Sequence, residues 1–291
     1  MIDYINLGAT LFVPSTHKNL TPILKQEKYP NLKSIVIDAE DGINDNEHQD
    51  AKKNIQDIVQ NYKKNSLLVF IRPRDTKDLK EFLTYTNIDK IDGFILPKFS
   101  LDNADAYLEL LSKSKHSFMP SIEGSELFDT DALRRLRDKL LKHKERIVLV
   151  RFGLEDMLKQ LGMKRSCEYS IFDYAVCASV LGNFLAAFKS VGFGVSGGVY
   201  PYFNDKDGFI KDVKRDLKEG LFSKTIIHPS QIDLVNQVYK VSKNELDEAK
   251  KLLKSSDAVI NLDGKMGEVK TMSPYSKEII KRAEVYGIKE L

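Results

Sequence analysis

Eight short runs rich in Val, Ile, Leu and Phe recur along the first three quarters of the sequence, with amphipathic stretches between most of them. They cover residues 9–14 (ATLFVP), 34–40 (SIVIDAE), 67–73 (LLVFIRP), 93–98 (GFILPK), 117–123 (SFMPSIE), 147–153 (IVLVRFG), 193–201 (FGVSGGVYP) and 224–229 (KTIIHP). Near-continuous apolar strands that alternate with helices form a parallel sheet covered on its faces, and eight such units are the number that closes a barrel. Run starts lie about 25 to 33 residues apart with one longer gap, in keeping with the roughly 250-residue size of such barrels. The predicted fold is α/β: a (β/α)8 TIM barrel over residues 1–240 with a C-terminal helical appendage or lid over residues 241–291. An appendage of roughly 50 residues buries a poor core alone.

The long gap, between runs six and seven, holds residues 169–190 (YSIFDYAVCASVLGNFLAAFKS), predicted as a helix buried in the shell or lying at a subunit contact. Residues 231–239 read as the last barrel helix, and Ser242 with Glu245 forms a capping box that opens a helix through Lys254. A Gly-bearing segment, 260–272, precedes a final helix with Ser273 as N-cap and Pro274 at its first position. Lys and Arg number 45 against 42 Asp and Glu, a net charge of +3, which excludes a nucleic-acid binder that depends on a dominant basic field. The opening MIDYINLGATLFVP lacks a basic start, and its apolar run is too short for a signal peptide or a membrane span, so a cytoplasmic location with no membrane partner is expected. Cys167 and Cys177 match no redox or zinc spacing, and both are expected as packed thiols.

In such barrels chemistry sits where strands end. The run ends are polar: Thr16 and His17 after run one, Asp38, Glu40 and Asp41 at run two, Arg72 at run three, Lys98 at run four, Glu123 at run five, Glu155 and Asp156 after run six, and His228 at run eight. Glu123 and Asp156, from adjacent runs, suit Mg2+ or Mn2+, which takes oxygen ligands and keeps several waters. A buried carboxylate at this position otherwise needs a cation such as Arg72 or Lys98, or a raised pKa. Arg72 either grips a substrate carboxylate with its planar fork or pairs with the acids of run two. Lys98 and His17 are further substrate-binding candidates, while His228 is as well explained by packing. Gly192, Gly194, Gly197 and Gly198 are too irregular for a dinucleotide fingerprint and read as turn and close-packing positions.

The ordered set LFVPS, IDAEDGI, FIRPR, GFILPK, SIEG, FGLEDML and IIHPSQI resembles the citrate lyase beta subunit and its relatives in the HpcH/HpaI aldolase superfamily, over nearly the whole chain. The resemblance implies a TIM barrel, a Mg2+-dependent carbon–carbon lyase or aldolase, a homo-oligomer (trimer or hexamer), and a 2-oxo acid or acyl-CoA substrate. It implies that Glu123 and Asp156 are the metal-binding carboxylates and that Arg72 holds the substrate oxo acid. Glu40 and Asp41 match the acidic pair that supports a metal-bound water. Glu268 in DGKMGE is the counterpart of an acid that enters a neighbouring subunit's site. Three departures bear on CoA recognition and on that acid: Gly8 stands where an arginine is common, Glu268 replaces the usual Asp, and extra residues precede Pro274. With them the chain looks like a divergent branch, similar to citrate-lyase-like proteins associated with tellurite-resistance operons.

The reaction so implied is retro-aldol or Claisen-type cleavage through a metal-stabilised enolate, with Arg72 orienting the carboxylate, Glu40 or Asp41 supporting the base, and Glu268 protonating the departing carbon. Two other readings stand beside it. A phosphoenolpyruvate-type magnesium enzyme needs a phosphate-binding feature at the glycines or Lys98. A non-catalytic accessory subunit of an operon-encoded complex needs only a partner surface.

Overall fold

The computed structural model describes residues 2–290. The chain divides into two compact units, Met1–Ile232 and Asp233–Leu291. In the first, the elements run β1 (Ala9–Pro14), α1 (Leu20–Leu24), β2 (Ser34–Asp38), α2 (His48–Asn61), β3 (Leu68–Arg72), α3 (Thr76–Phe82), β4 (Gly93–Leu96), α4 (Ala104–Ser112), β5 (Ser117–Ile122), α5 (Thr130–Leu141), β6 (Arg151–Phe152), α6 (Leu154–Gln160), α7 (Ala175–Lys189), α8 (Lys206–Lys218) and β7 (Lys224–Ile226). The strands make one parallel sheet in the order β6-β5-β4-β3-β2-β1-β7. The alternation of strand and helix seen in the sequence is therefore realised, with seven strands in place of the eight expected.

Run seven accounts for the difference. Residues 193–201 form no strand; they make single parallel bridges, Val195 to Val150 and Gly197 to Lys224, across the gap between β6 and β7. Their glycines allow close approach: a Cβ on Gly197 would lie 2.3 Å from Asp216 Oδ2, and one on Gly194 or Gly198 would strike Tyr4 or Leu154. Side-chain-free positions weaken a regular ladder while letting other groups press against the backbone. Four buried charges fasten this region. Lys224 Nζ lies 2.5 Å from Asp212 Oδ2 and 2.7 Å from Asp216 Oδ2, Arg165 pairs with Asp212, and Arg165 Nη1 donates to the Val199 carbonyl at 2.6 Å.

Run six is shortened for another reason. Phe118 bridges to Ile147, whereas Ser121 pairs with Arg151, so three steps along β5 match four along run six. One extra residue is a β-bulge, which interrupts the ladder and shifts the facing of every side chain beyond it. The regular strand is then only Arg151–Phe152. The sheet interior contains Leu7, Val36, Phe70, Ile95, Met119, Val148 and Leu149, with Phe12 packed against them. Two residues further along their strands, on the same face, come Asp38, Arg72, Ser121 and Arg151, with Asp38 paired to Arg72 and Ser121 to Arg151 in register. The period of two that builds the apolar layer thus builds a polar layer above it. Phe152 points the other way, its ring 5.1 Å from that of Phe184 on α7.

Other expectations change in detail. Residues 169–174 are not part of the long helix: Ser170 caps a short 3-10 turn with Asp173, and α7 begins at Ala175. Cys177 is buried as expected, but Cys167 is exposed, in the loop after α6. Past β7 the chain continues as α9 (Ile232–Tyr239), and the second unit contains α10 (Lys243–Lys254), opened by the Ser242–Glu245 capping box, then β8 (Val259–Leu262), β9 (Lys265–Glu268) and α11 (Val269–Tyr286). The Gly-bearing segment is an antiparallel hairpin turning on Asp263 and Gly264, both with positive φ. Pro274 is inside α11 rather than at its start, and Glu268, not Ser273, is the N-cap. The Val269 N–H bonds to the Ala258 carbonyl, so helical winding begins straight off the hairpin. Val241, Leu246, Ala249 and Ile279 form this unit's core. Among the described residues no helix is long and apolar enough to cross a membrane.

Candidate active site

The polar layer and the strand ends beyond it gather most of the residues singled out in the sequence. Arg72, at the end of β3, donates from Nε and Nη2 to the two Asp38 oxygens, each at 2.6 Å. Its Nη1 lies 2.9 Å from Glu40 Oε2 and 3.5 Å from Asp41 Oδ2. The pairing with the acids of run two expected for Arg72 is thus formed. Burial opposes its charge, yet Asp38, Glu40 and Asp41 hold the guanidinium above its ordinary range. Lys98 completes the cluster, pairing with Glu40 and lying 3.3 Å from Asp41. Its backbone is left-handed, with φ +46°, and Asn103 braces its carbonyl at 2.8 Å. Burial and the hydrogen bond with Asp41 push the Glu40 carboxyl up to about 6 against the pull of Arg72 and Lys98.

Glu123, just past β5, is 6% exposed and accepts the Lys98 backbone N–H. Its carboxyl also hydrogen-bonds that of Asp156, in the first turn of α6. Gly153 permits this pairing, because a Cβ there would lie 2.1 Å from Glu123 Cβ. Gln160, which sequence reading missed, ties the two backbones together by donating to the Glu123 carbonyl at 2.7 Å and the Asp156 carbonyl at 3.1 Å. Among the described residues no cation lies within ion-pair distance of either carboxylate. Burial, with Asp156 and Glu40 adding repulsion, pushes Glu123 up to about 8.

That shift has a sign that can be measured. A carboxyl raised in the fold favours the folded state fully only below its ordinary value of 4.5, and this contribution is withdrawn as pH climbs towards about 8. Metal-free protein is expected to lose roughly a few kcal/mol of stability from this group over that window, seen as a falling urea midpoint. Glu123→Gln should flatten the slope; an identical slope in the variant contradicts the assignment.

A second omission is Arg151. It is 4% exposed; its Nη2 donates to Thr225 Oγ1, and its guanidinium carbon lies 5.0 Å from the Phe12 ring centre. Burial, with repulsion from Arg72, pushes it down to about 9. Its signal in the sequence is a charge inside the apolar run IVLVRFG, short of the run's end. Other candidates are placed elsewhere. His17 is exposed and accepts the Asn19 N–H at 3.2 Å, Thr16 and Glu155 are exposed, and His228 caps the turn at Pro229 while stacking on Phe203. Glu268 closes β9 in the second unit.

Two abutting carboxylates without a cation share a proton, which is what the raised Glu123 carboxyl reflects, or they share a positive ion. Among the described residues no cluster of three or more His, Cys, Asp or Glu is assembled for a metal. A pair with water in the remaining positions is what Mg2+ accepts, so the donor set fits it. The glycines of residues 192–198 pack against side chains, and Lys98 is committed to acids, so neither forms a phosphate cradle.

The family described as C–C bond lyase of the TIM-barrel fold matches residues 1–288. The citrate lyase subunit beta of Escherichia coli (strain K12) is 29% identical over 153 residues, which is 50% of this chain and 49% of that protein, so the match spans about half of the relative's length. The citrate lyase subunit beta of Haemophilus influenzae is 23% identical over 96% of this chain and 97% of its own, and a (3S)-malyl-CoA thioesterase of Cereibacter sphaeroides is 23% identical over 81% of each. Among solved structures, CitE of Mycobacterium tuberculosis in complex with magnesium, acetoacetate and coenzyme A superposes with a TM-score of 0.70 at 18% identity, covering 97% of this chain and 99% of that one. RipC from Yersinia pestis gives 0.64 at 18% identity, over 84% of this chain and 100% of its own.

Proposed function

Since the chain belongs to the C–C bond lyases of the TIM-barrel fold, we propose that it makes or breaks a carbon–carbon bond beside the carbonyl of a 2-oxo acid or acyl-CoA-type substrate, with Mg2+ or Mn2+ held by Glu123 and Asp156. The observation that carries the reading is the Glu123–Asp156 pair, two carboxyls in contact with, among the described residues, no cation at ion-pair distance of either. The solved relatives with magnesium and acetoacetate, or with oxaloacetate and magnesium, support it. A divalent ion bound there supplies Lewis-acid polarisation of a substrate oxygen. Glu40, at about 6, is suited to take and return a proton near neutrality, and Lys98 and Arg72 hold its carboxyl in place. Arg72, fixed by Asp38, sets the orientation of the acids around it.

The test is calorimetric binding of pyruvate, oxaloacetate and glyoxylate with and without Mg2+. Binding that requires the ion is the expected result. A folded protein that binds none of the three in either condition overturns the reading and favours an accessory role.

A further inference from the structure

Two arginines meet at Phe12, and the acids of the site compensate only one of them. The guanidinium carbons of Arg72 and Arg151 lie 5.2 and 5.0 Å from the centre of that ring. Arg72 is surrounded by Asp38, Glu40 and Asp41. Arg151 has no carboxylate within ion-pair distance among the described residues, and its Nη1 is buried with no hydrogen-bond partner. Its contact with Thr225 satisfies Nη2 alone. Contact with an aromatic face returns only part of what burying such a charge costs, so an anion placed against Arg151 would be stabilised there.

Position says where the anion would sit. Arg151 faces the sheet interior beside Ser121, which is two residues before Glu123 on the same strand run, and it is five residues before Asp156. Glu123 is itself engaged by Asp156 and the Lys98 amide. The ligand chemistry that suits a planar donor beside a divalent-ion site is a carboxylate.

We propose that Arg151 binds the carboxylate of the 2-oxo acid; this inference rests on the function proposed above. Arg151 is then a specificity determinant that separates 2-oxo acids from their uncharged amides.

The test is a cycle of pyruvate and pyruvamide against wild type, Arg151→Met and Arg151→Lys, by calorimetry in Mg2+, with Mg2+ binding measured alone. Arg151→Met is expected to weaken pyruvate binding by about 100-fold while leaving pyruvamide and Mg2+ binding unchanged. Arg151→Lys should restore part of the preference for the acid. Because the Met variant removes an uncompensated buried charge, its melting temperature should not fall; if it does not fold, the Lys variant, which retains the charge, carries the same comparison. Equal losses for pyruvate and pyruvamide, or none for pyruvate, overturn the assignment of Arg151. Absence of Mg2+-dependent pyruvate binding in the wild type overturns the proposed function and this inference with it, and so is distinct from failure of Arg151 alone.

Discussion

Asp156→Asn is expected to lower Mg2+ affinity by more than about 100-fold, since loss of a mere outer-shell partner of a metal ligand already costs roughly 10- to 100-fold. The substitution keeps the size of the side chain but removes one of only two charges proposed to hold the ion. Its effect should therefore appear in metal titrations before any substrate is known. Carbon–carbon cleavage, once a substrate is found, should fall by about a thousandfold or more, because the polarising ion is lost with its ligand. Glu123→Gln should behave alike, with the added loss of the pH slope described above. Undiminished Mg2+ affinity in both variants would remove these carboxylates from the metal site.

The second large effect concerns stability. Lys224→Met should destabilise the first unit by about 3–5 kcal/mol, the usual consequence of removing one member of a buried ion cluster. Lys224 is 1% exposed and is paired with both Asp212 and Asp216. Without it, Asp216 keeps no partner at hydrogen-bond distance, and burial already pushes this carboxyl up to about 6. Adding Asp216→Leu should recover part of the loss, since an apolar replacement leaves no stranded charge. Urea unfolding of the single and double variants measures both values. A single variant within about 1 kcal/mol of wild type would show that the cluster does not hold this region together.

The polar strand ends were legible because the same alternation governs core and site: once a run is read as a strand, the residues two and four positions beyond its apolar members share their face. Asp38, Glu40, Arg72 and Glu123 follow that rule, counted from Val36, Phe70 and Met119, whereas Lys98 lies three residues past Ile95 and Asp156 is carried by the first turn of α6. What the sequence concealed was pairing. Nothing in FIRPR says that Arg72 will spend its donors on Asp38, because that depends on β2 and β3 being in register. Run seven looked like a strand through Val195 and Val199, but ladder regularity depends on neighbours that its glycines admit so closely. Pro274 misled in another way: proline is common at a helix start, yet here the preceding hairpin begins the helix earlier, five residues before the proline.

The bulge in run six makes residue count a chemical variable. Continued in the frame set at Phe118 and Ile147, Val150 would stand opposite Ser121 and Arg151 opposite Ile122, facing the aromatic rings of α7. The supernumerary residue rotates the remainder of the run by half a turn, sending the guanidinium inward and Phe152 outward. With every side chain retained, a regular ladder through this stretch would leave the site without its inner cation; what keeps the cation inside is the one residue between Ile147 and Arg151 that has no counterpart on β5.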